Sequence, residues 1–340
     1  MAKARIAING FGRIGRLFFR QAWQNKNLDI AAINDLGDIE NLAYLLKYDS
    51  VYRQFGNELR IEGNELVVDG EKIKVFQEKD PTKLPWKDLK IDIAVESTGA
   101  FESFEKASVH LVAGAKKVVI TAPAKDEERP DAKTVLLGVN EEEFKHCKIT
   151  SNGSCTTNAT SPVAQIMAES IGVAKAFLAS VHGYTATQNL VDGPTKGKDF
   201  RRGRAAAVNI SPSFTGAAIS VTRAVKELQG KFDGLAYRVP VATGSMADFT
   251  FVASRKTSVE EINEILRKAA DSSRWKNILK VTEDQIVSSD IIGEPYGAIV
   301  DLTYTKVIDG DLVKVLSWYD NEWGYVTTLV GHVLKVVENL

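Results

Sequence analysis

An apolar run, a glycine-spaced turn and a helix in immediate succession narrow the fold more than any other feature of this chain. Arg5-Ile6-Ala7-Ile8-Asn9 has the continuous apolar character of a strand buried on both faces. Gly10-Phe11-Gly12-Arg13-Ile14-Gly15 follows directly, and a helical pattern runs on to about Asn25. Gly10 permits the tight turn, Gly12 lets a pyrophosphate approach the backbone, and Gly15 allows helix and strand to pack closely. A second strand pattern from Leu28 ends at the acid Asp35, 20 residues past Gly15, where a carboxylate can take the ribose hydroxyls of a dinucleotide. The glycine pattern by itself is common. With a strand on each side, a helix and an acid, it predicts a doubly wound nucleotide-binding domain.

Further parallel-sheet patterns follow a stretch of hairpins between Glu58 and Val75. Ile91 to Glu96 is a strand ending at Ser97-Thr98-Gly99, and Lys116 to Ile120 ends at Thr121. Carboxyl ends of strands are where such sheets bind ligands, so Asn9, Thr98, Gly99 and Thr121 join the glycines and Asp35 as candidate cofactor residues. Phe104 to Ala113 reads as a helix stopped by Gly114, and Val135 to Val139 as another short strand. Past residue 150 the pattern changes. Long strand candidates (Ala176 to Tyr184, Leu235 to Val241, Ala247 to Ser254, Ala298 to Ile308, Leu312 to Tyr319) accompany two helices, Gly216 to Leu228 and Ser258 to Ala270, the second with a capping box at Ser258 and Glu261. This predicts an α/β Rossmann domain over 1–150 and an α+β domain with a large, mostly antiparallel sheet over 151–319. A last helix, Val326 to Val337 within a closing stretch of about 320–340, is expected to return to the first domain.

The chain of 340 residues suits two domains, and a net charge of -1 draws it to neither nucleic acid nor membrane. No apolar run approaches membrane-spanning length, and Met1 to Arg5 has no signal-peptide core. Two cysteines, Cys147 and Cys155, make no disulfide framework and suit a reducing cytoplasm, and no Cys/His cluster has metal spacing.

Chemistry concentrates at Ser151-Asn152-Gly153-Ser154-Cys155-Thr156-Thr157-Asn158, between a strand and a helix. A thiol in the first turn of a helix meets the positive end of the dipole, which favours the reactive thiolate. A buried, inert cysteine behind an ordinary cap fits the same residues. Of four histidines, His110, His146 and His332 read as structural, while His182 ends a strand before Gly183-Tyr184-Thr185 and serves equally well as a base or a structural residue. The loop Asp192 to Arg204 is basic. It lacks the aromatic interleaving of a nucleic-acid surface, so phosphate recognition by its arginines is the better functional reading. Thr215-Gly216 opens a helix and offers a further anion site.

These motifs, with Arg202-Gly203-Arg204-Ala205-Ala206-Ala207, Arg238-Val239-Pro240 and Trp318 to Tyr325, resemble phosphorylating glyceraldehyde-3-phosphate dehydrogenases over essentially the whole chain. The family's usual Ala is Gly153 here, its frequent second Cys is Ala159, and Val241 to Met246 departs from the common form. The resemblance implies Cys155 as the nucleophile that forms a thiohemiacetal and then a thioester, with His182 as base, NAD as hydride acceptor and inorganic phosphate releasing 1,3-bisphosphoglycerate. It implies phosphate binding by Ser154, Thr156, Thr185, Arg202, Thr215, Gly216 and Arg238, and NAD binding by Arg13, Ile14, Asp35, Lys79, Thr121 and Asn321. It also implies a homotetramer in which residues 185 to 204 reach a neighbour's cofactor site. Three alternatives stand beside it: an erythrose-4-phosphate dehydrogenase, a cysteine hydrolase, and a non-catalytic binding protein on the same scaffold.

Overall fold

A computed structural model describes residues 3–195 and 197–340; Met1, Ala2 and Lys196 of the basic loop lie outside the described residues. The chain divides into two units. One holds residues up to 135, 141–153 and 329–340; the other holds 136–140 and 154–328. The last helix, Trp323–Val337, therefore starts in the second unit and belongs to the first from Leu329 onward. No helix among the described residues is long and apolar enough to cross a membrane.

The first unit is built on a nine-stranded sheet. Ala4–Asn9 lies at its centre, with Leu28–Asn34 on one side and Ile93–Glu96 on the other, all parallel. The chain winds outward from Ala4–Asn9 in one direction, then returns to build the other half through Lys117–Ile120, Ile149–Ser151 and Ala132–Thr134. That reversal makes the carboxyl end of Ala4–Asn9 the topological switch point, where ligands of such sheets bind. The predicted hairpins form an antiparallel edge, Glu71–Phe76, Glu65–Val68 and Leu59–Glu62.

The second unit carries a seven-stranded sheet. Its order is Ser211–Phe214, Phe232–Val239, Val173–Gly183, Ser245–Ala253, Leu312–Tyr319, Ala298–Ile308 and Leu279–Thr282, and most neighbours are antiparallel. Ser245–Ala253 alternates buried and part-exposed residues along its whole length, as a strand with one covered face must. The helix Cys155–Ser170 is buried from Thr156 to Met167, where Val163, Ile166 and Met167 enter a core with Phe249, Phe251 and Val315. This packing anchors the first turn of the helix, and with it Cys155.

Three local expectations need correction. Val135 to Val139 is no strand: the strand is Ala132–Thr134, and its ladder ends where Val135 N–H meets Ser151 O at 3.0 Å. Leu137 and Val139 instead pack on the core of the second unit, so the apolar run served packing rather than pairing. Phe104 to Ala113 is two short helices, Phe104–Ala107 and Val109–Val112. Ser258 caps Val259–Asp271 through Glu261 N–H at 3.2 Å, but the Glu261 carboxylate turns to Arg255 and Thr257 instead of closing the box.

Candidate active site

Each glycine of the turn is tested by the Cβ it lacks. Gly10 has φ +94°, and a Cβ there would lie 2.6 Å from Thr98 N. On Gly15 it would lie 2.1 Å from Gly10 O, whereas on Gly12 it would meet nothing within 4 Å. Gly10 and Gly15 are thus needed by the protein itself, while the space over Gly12 is open to a ligand. The helix behind it, Arg13–Ala22, has no side-chain cap on its leading N–H groups, the setting that favours a pyrophosphate. Asp35 accepts Phe11 N–H at 2.6 Å and Gly37 N–H at 2.8 Å, one on each oxygen, which orients the carboxylate and leaves lone pairs for ribose hydroxyls. These residues fit a dinucleotide.

Other expected cofactor residues are differently engaged. Arg13 turns its guanidinium to Asp49 and lies over the Tyr52 ring, and the half-buried Ile14 sits one residue further into the helix. The side chain of Asn9 is wholly internal: its amide donates to Glu96 at 2.6 Å and its carbonyl accepts from Asn34 at 2.7 Å. The hydroxyl of Thr98 binds Glu96, and that of Thr121 donates to Glu96 O at 3.1 Å. Gly99 follows at φ +73°, and Lys79 is exposed beyond the end of Glu71–Phe76. Glu96, absent from the expected set, is the hub of this buried network and also binds His110 at 2.9 Å; His110 is structural.

In the second unit Ser154 caps the Cys155 helix, accepting Thr157 N–H at 3.1 Å while Thr157 Oγ1 accepts Ser154 N–H at 3.1 Å. This box places Cys155 at the first helical position. Its Sγ lies 3.3 Å from His182 Nε2. The parallel register of Val173–Gly183 and Phe232–Val239 sets Arg238 beside His182. Arg238 Nη1 reaches His182 Nδ1 at 2.7 Å and donates to Gly183 O at 3.1 Å. The ring of His182 rests against Tyr319 at 6.0 Å between centroids. Tyr319 binds Thr156 Oγ1 at 2.9 Å and Ser180 Oγ at 2.8 Å, so the hydroxyl of Thr156 is turned inward.

Electrostatics modify the expectation of an acidic thiol. Burial is the largest influence on Cys155 and pushes it up; the charge of Arg238 and the hydrogen bonds from Thr156 pull it back only in part. Burial, then the charge of Arg238, drives His182 down to about 3, against the Gly183 carbonyl. A lone thiolate and a lone imidazolium are both disfavoured. When Nε2 carries no proton, transfer of the S–H proton across 3.3 Å creates the two charges together, and their attraction offsets the desolvation of each.

Arg202 donates to Thr187 Oγ1 at 2.7 Å and Ser213 Oγ at 3.0 Å, and Thr187 binds Thr185 at 3.0 Å. Its charge acts on both His182 and Arg238, so two guanidinium groups influence one histidine. Thr215 Oγ1 accepts Ala217 N–H at 3.1 Å, and Gly216 leads the helix Ala217–Ala224 without a side-chain cap. Asn321 Oδ1 accepts from Ser245 Oγ at 2.8 Å, Gly244 N–H at 3.1 Å and Thr243 Oγ1 at 3.2 Å, which fixes its amide with the NH₂ as the donating end. The polar residues Thr187, Ser213 and Ser245 were missed because no local motif marks them, and Tyr319, inside the Trp318 to Tyr325 motif, was given no role.

Comparison with known families agrees with this geometry. The family description "Glyceraldehyde 3-phosphate dehydrogenase, NAD binding domain" matches residues 4–104, and "Glyceraldehyde 3-phosphate dehydrogenase, C-terminal domain" matches 154–321. A glyceraldehyde-3-phosphate dehydrogenase of Thermotoga maritima is 51% identical over 330 residues, 96% of this chain and 97% of that protein. One of Clostridium pasteurianum is 47% identical over 330 residues, 96% of each. Glyceraldehyde-3-phosphate dehydrogenase 1 of Streptomyces avermitilis is 45% identical over 339 residues, 99% of each.

Proposed function

This chain belongs to the glyceraldehyde-3-phosphate dehydrogenase family, and we propose from that membership that Cys155 is its nucleophile, His182 its base, and Arg202 and Arg238 its phosphate-binding cations. It is an NAD-dependent dehydrogenase of glyceraldehyde 3-phosphate. NAD, when bound at the glycine turn and Asp35, supplies the hydride acceptor.

The observation that carries the assignment is Cys155 Sγ at 3.3 Å from His182 Nε2, with Arg238 in register beside the imidazole. Sulfur attacks the aldehyde carbon while His182 takes the thiol proton and hands it to the carbonyl oxygen, which becomes the hydroxyl of a thiohemiacetal and leaves His182 neutral again. His182 then accepts that hydroxyl proton as the hydride leaves the carbon, and a thioester on Cys155 remains. A phosphate oxygen attacks the thioester carbonyl, the C–S bond breaks, and the acyl phosphate departs. Arg202, Arg238, Thr185 and the open helix start at Gly216 offer donors for the phosphate groups, while Ser154 and Thr156 act mainly by building the helix start. The test is NADH formation from glyceraldehyde 3-phosphate and NAD with and without inorganic phosphate. Sustained turnover is expected only with phosphate and only with Cys155 present; steady turnover by Cys155→Ser would overturn the assignment.

The same reading includes a homotetramer. Its support is a set of bare apolar side chains around the basic loop, Leu190, Phe200, Val208, Ile210 and Phe214, the last 83% exposed. Gln188, in the same loop, is buried with neither end of its amide hydrogen-bonded, a group that calls for a partner. Light scattering should give four chains of 37.3 kDa, and an active monomer would refute it. Both thiols are free, which supports a cytoplasmic location; cell fractionation that recovers the enzyme from an oxidising compartment would contradict it.

A further inference from the structure

His182 Nδ1 has two neighbours that make opposite demands on it. Gly183 O lies 2.6 Å away and can only accept, so it calls for a proton on Nδ1. Arg238 Nη1 lies 2.7 Å away and can only donate, so it calls for a bare Nδ1. Arg238 Nη1 also reaches Gly183 O at 3.1 Å, and its two N–H groups can therefore serve the carbonyl and the ring nitrogen together. While the guanidinium sits there, the pattern without a clash leaves Nδ1 bare and puts the ring proton on Nε2, facing Cys155. In that tautomer His182 cannot take the thiol proton.

The carbonyl does not yield. Gly183 N–H donates to Ser245 Oγ at 3.1 Å and Tyr184 N–H to Val241 O at 3.0 Å, which holds the peptide in place. The guanidinium is the movable member. Its Nε is buried without a hydrogen bond, and it feels the charge of Arg202, so an anion arriving between the two arginines would satisfy the fork better than His182 does.

We propose that Arg238 is an anion-operated latch on the base: with no anion it holds His182 in the Nε2–H tautomer, and an anion that draws the guanidinium away lets the proton pass to Nδ1, bonded to Gly183 O, and frees Nε2 to accept from Cys155. The relocation needs no oxidant or co-reactant, because one ring proton is lost to solvent as another is gained. It rests on the phosphate-binding role given to Arg238 above. It makes the enzyme a poor nucleophile until a phosphate group is in place.

The test is two-bond 1H–15N correlation on the intact enzyme with 15N-labelled histidine, with the His182 signals assigned by loss in His182→Asn. This reads directly which ring nitrogen carries the proton, which a merely structural arginine would not control. The wild type should show Nε2–H without anions and Nδ1–H at saturating inorganic phosphate, with sodium chloride of equal ionic strength leaving the first pattern in place. Arg238→Ala, or Arg238→Met if the first fails to fold (an unbranched stem with no N–H to donate), should show Nδ1–H with or without phosphate. Calorimetry separates the two possible failures. No phosphate binding by the wild type would defeat the phosphate role, and the tautomer of the Arg238 variants would still decide the latch. Phosphate binding with no change of tautomer, or variants that keep Nε2–H, would overturn the latch itself.

Discussion

Burial raises the thiols of both cysteines, and what stands beside each tells them apart. Cys147 is buried, and its thiol is pushed up to about 11 mainly by that burial. Cys155 is half-buried at a helix start, with His182 Nε2 3.3 Å from its sulfur. With inorganic phosphate at saturation, iodoacetamide at neutral pH should therefore label Cys155 much faster than Cys147 and abolish activity, as peptide mass spectrometry would show; equal labelling would contradict the assignment. Asp35 is the residue proposed to set the choice between cofactors. Both of its oxygens are aligned by backbone N–H groups, so a 2′-phosphate would face a fixed carboxylate, and Asp38 lies three residues further on. The expected preference for NAD over NADP is about 100-fold in kcat/KM, the order of 2.7 kcal/mol. Asp35→Gly should narrow it mainly by raising the KM for NAD. Equal use of both cofactors by the wild type would disprove this role.

The elements show why some of the site could be read from sequence and some could not. The glycine turn is a local device whose residues are adjacent: Gly10 and Gly15 are required by close approach, as their spacing implies, and the space over Gly12 is open. Gly15→Ala forces a contact of 2.1 Å and should cost about 1–3 kcal/mol or more in chemical unfolding. Gly12→Ala should unfold like the wild type yet lose NAD affinity in calorimetry, and normal NAD binding by it would show that the space over Gly12 is not the pyrophosphate site. The helix start at Cys155 was equally legible, because Ser154 and Thr157 lie three residues apart and cap each other. The pairing of His182 with Arg238 was not. They are 56 residues apart and meet only through the register of two parallel strands, which no local pattern encodes. Glu96 was overlooked for a related reason: an acid at a strand end reads as solvated, and only the sheet reveals Asn9 and His110 around it. Val135 to Val139 misled because an apolar run serves core packing as readily as strand pairing.

Over the whole molecule, acid should act through a buried histidine that has no part in the proposed chemistry. His332 lies in the last helix with no exposed surface, Nε2 2.7 Å from Thr150 Oγ1, and burial lowers it to about 3. Its folded value is below the unfolded one of about 6.5, so the unfolded chain binds more protons between these limits. Its contribution to stability is complete above the unfolded value and is lost as pH falls through that window, at about 1.4 kcal/mol per pH unit. Denaturant unfolding at pH 6 and pH 5 should show this loss in the wild type and a shallower slope in His332→Gln; equal slopes would contradict it. The central claim concerns the complete enzyme and a covalent step on Cys155. Its most direct measurement is a rapid-mixing experiment with glyceraldehyde 3-phosphate and NAD in the absence of phosphate. The prediction is a burst of about one NADH per active chain, then a stall with Cys155 acylated, and renewed turnover when phosphate is added. Steady NADH formation without phosphate, or a burst that leaves Cys155 unmodified, would contradict it.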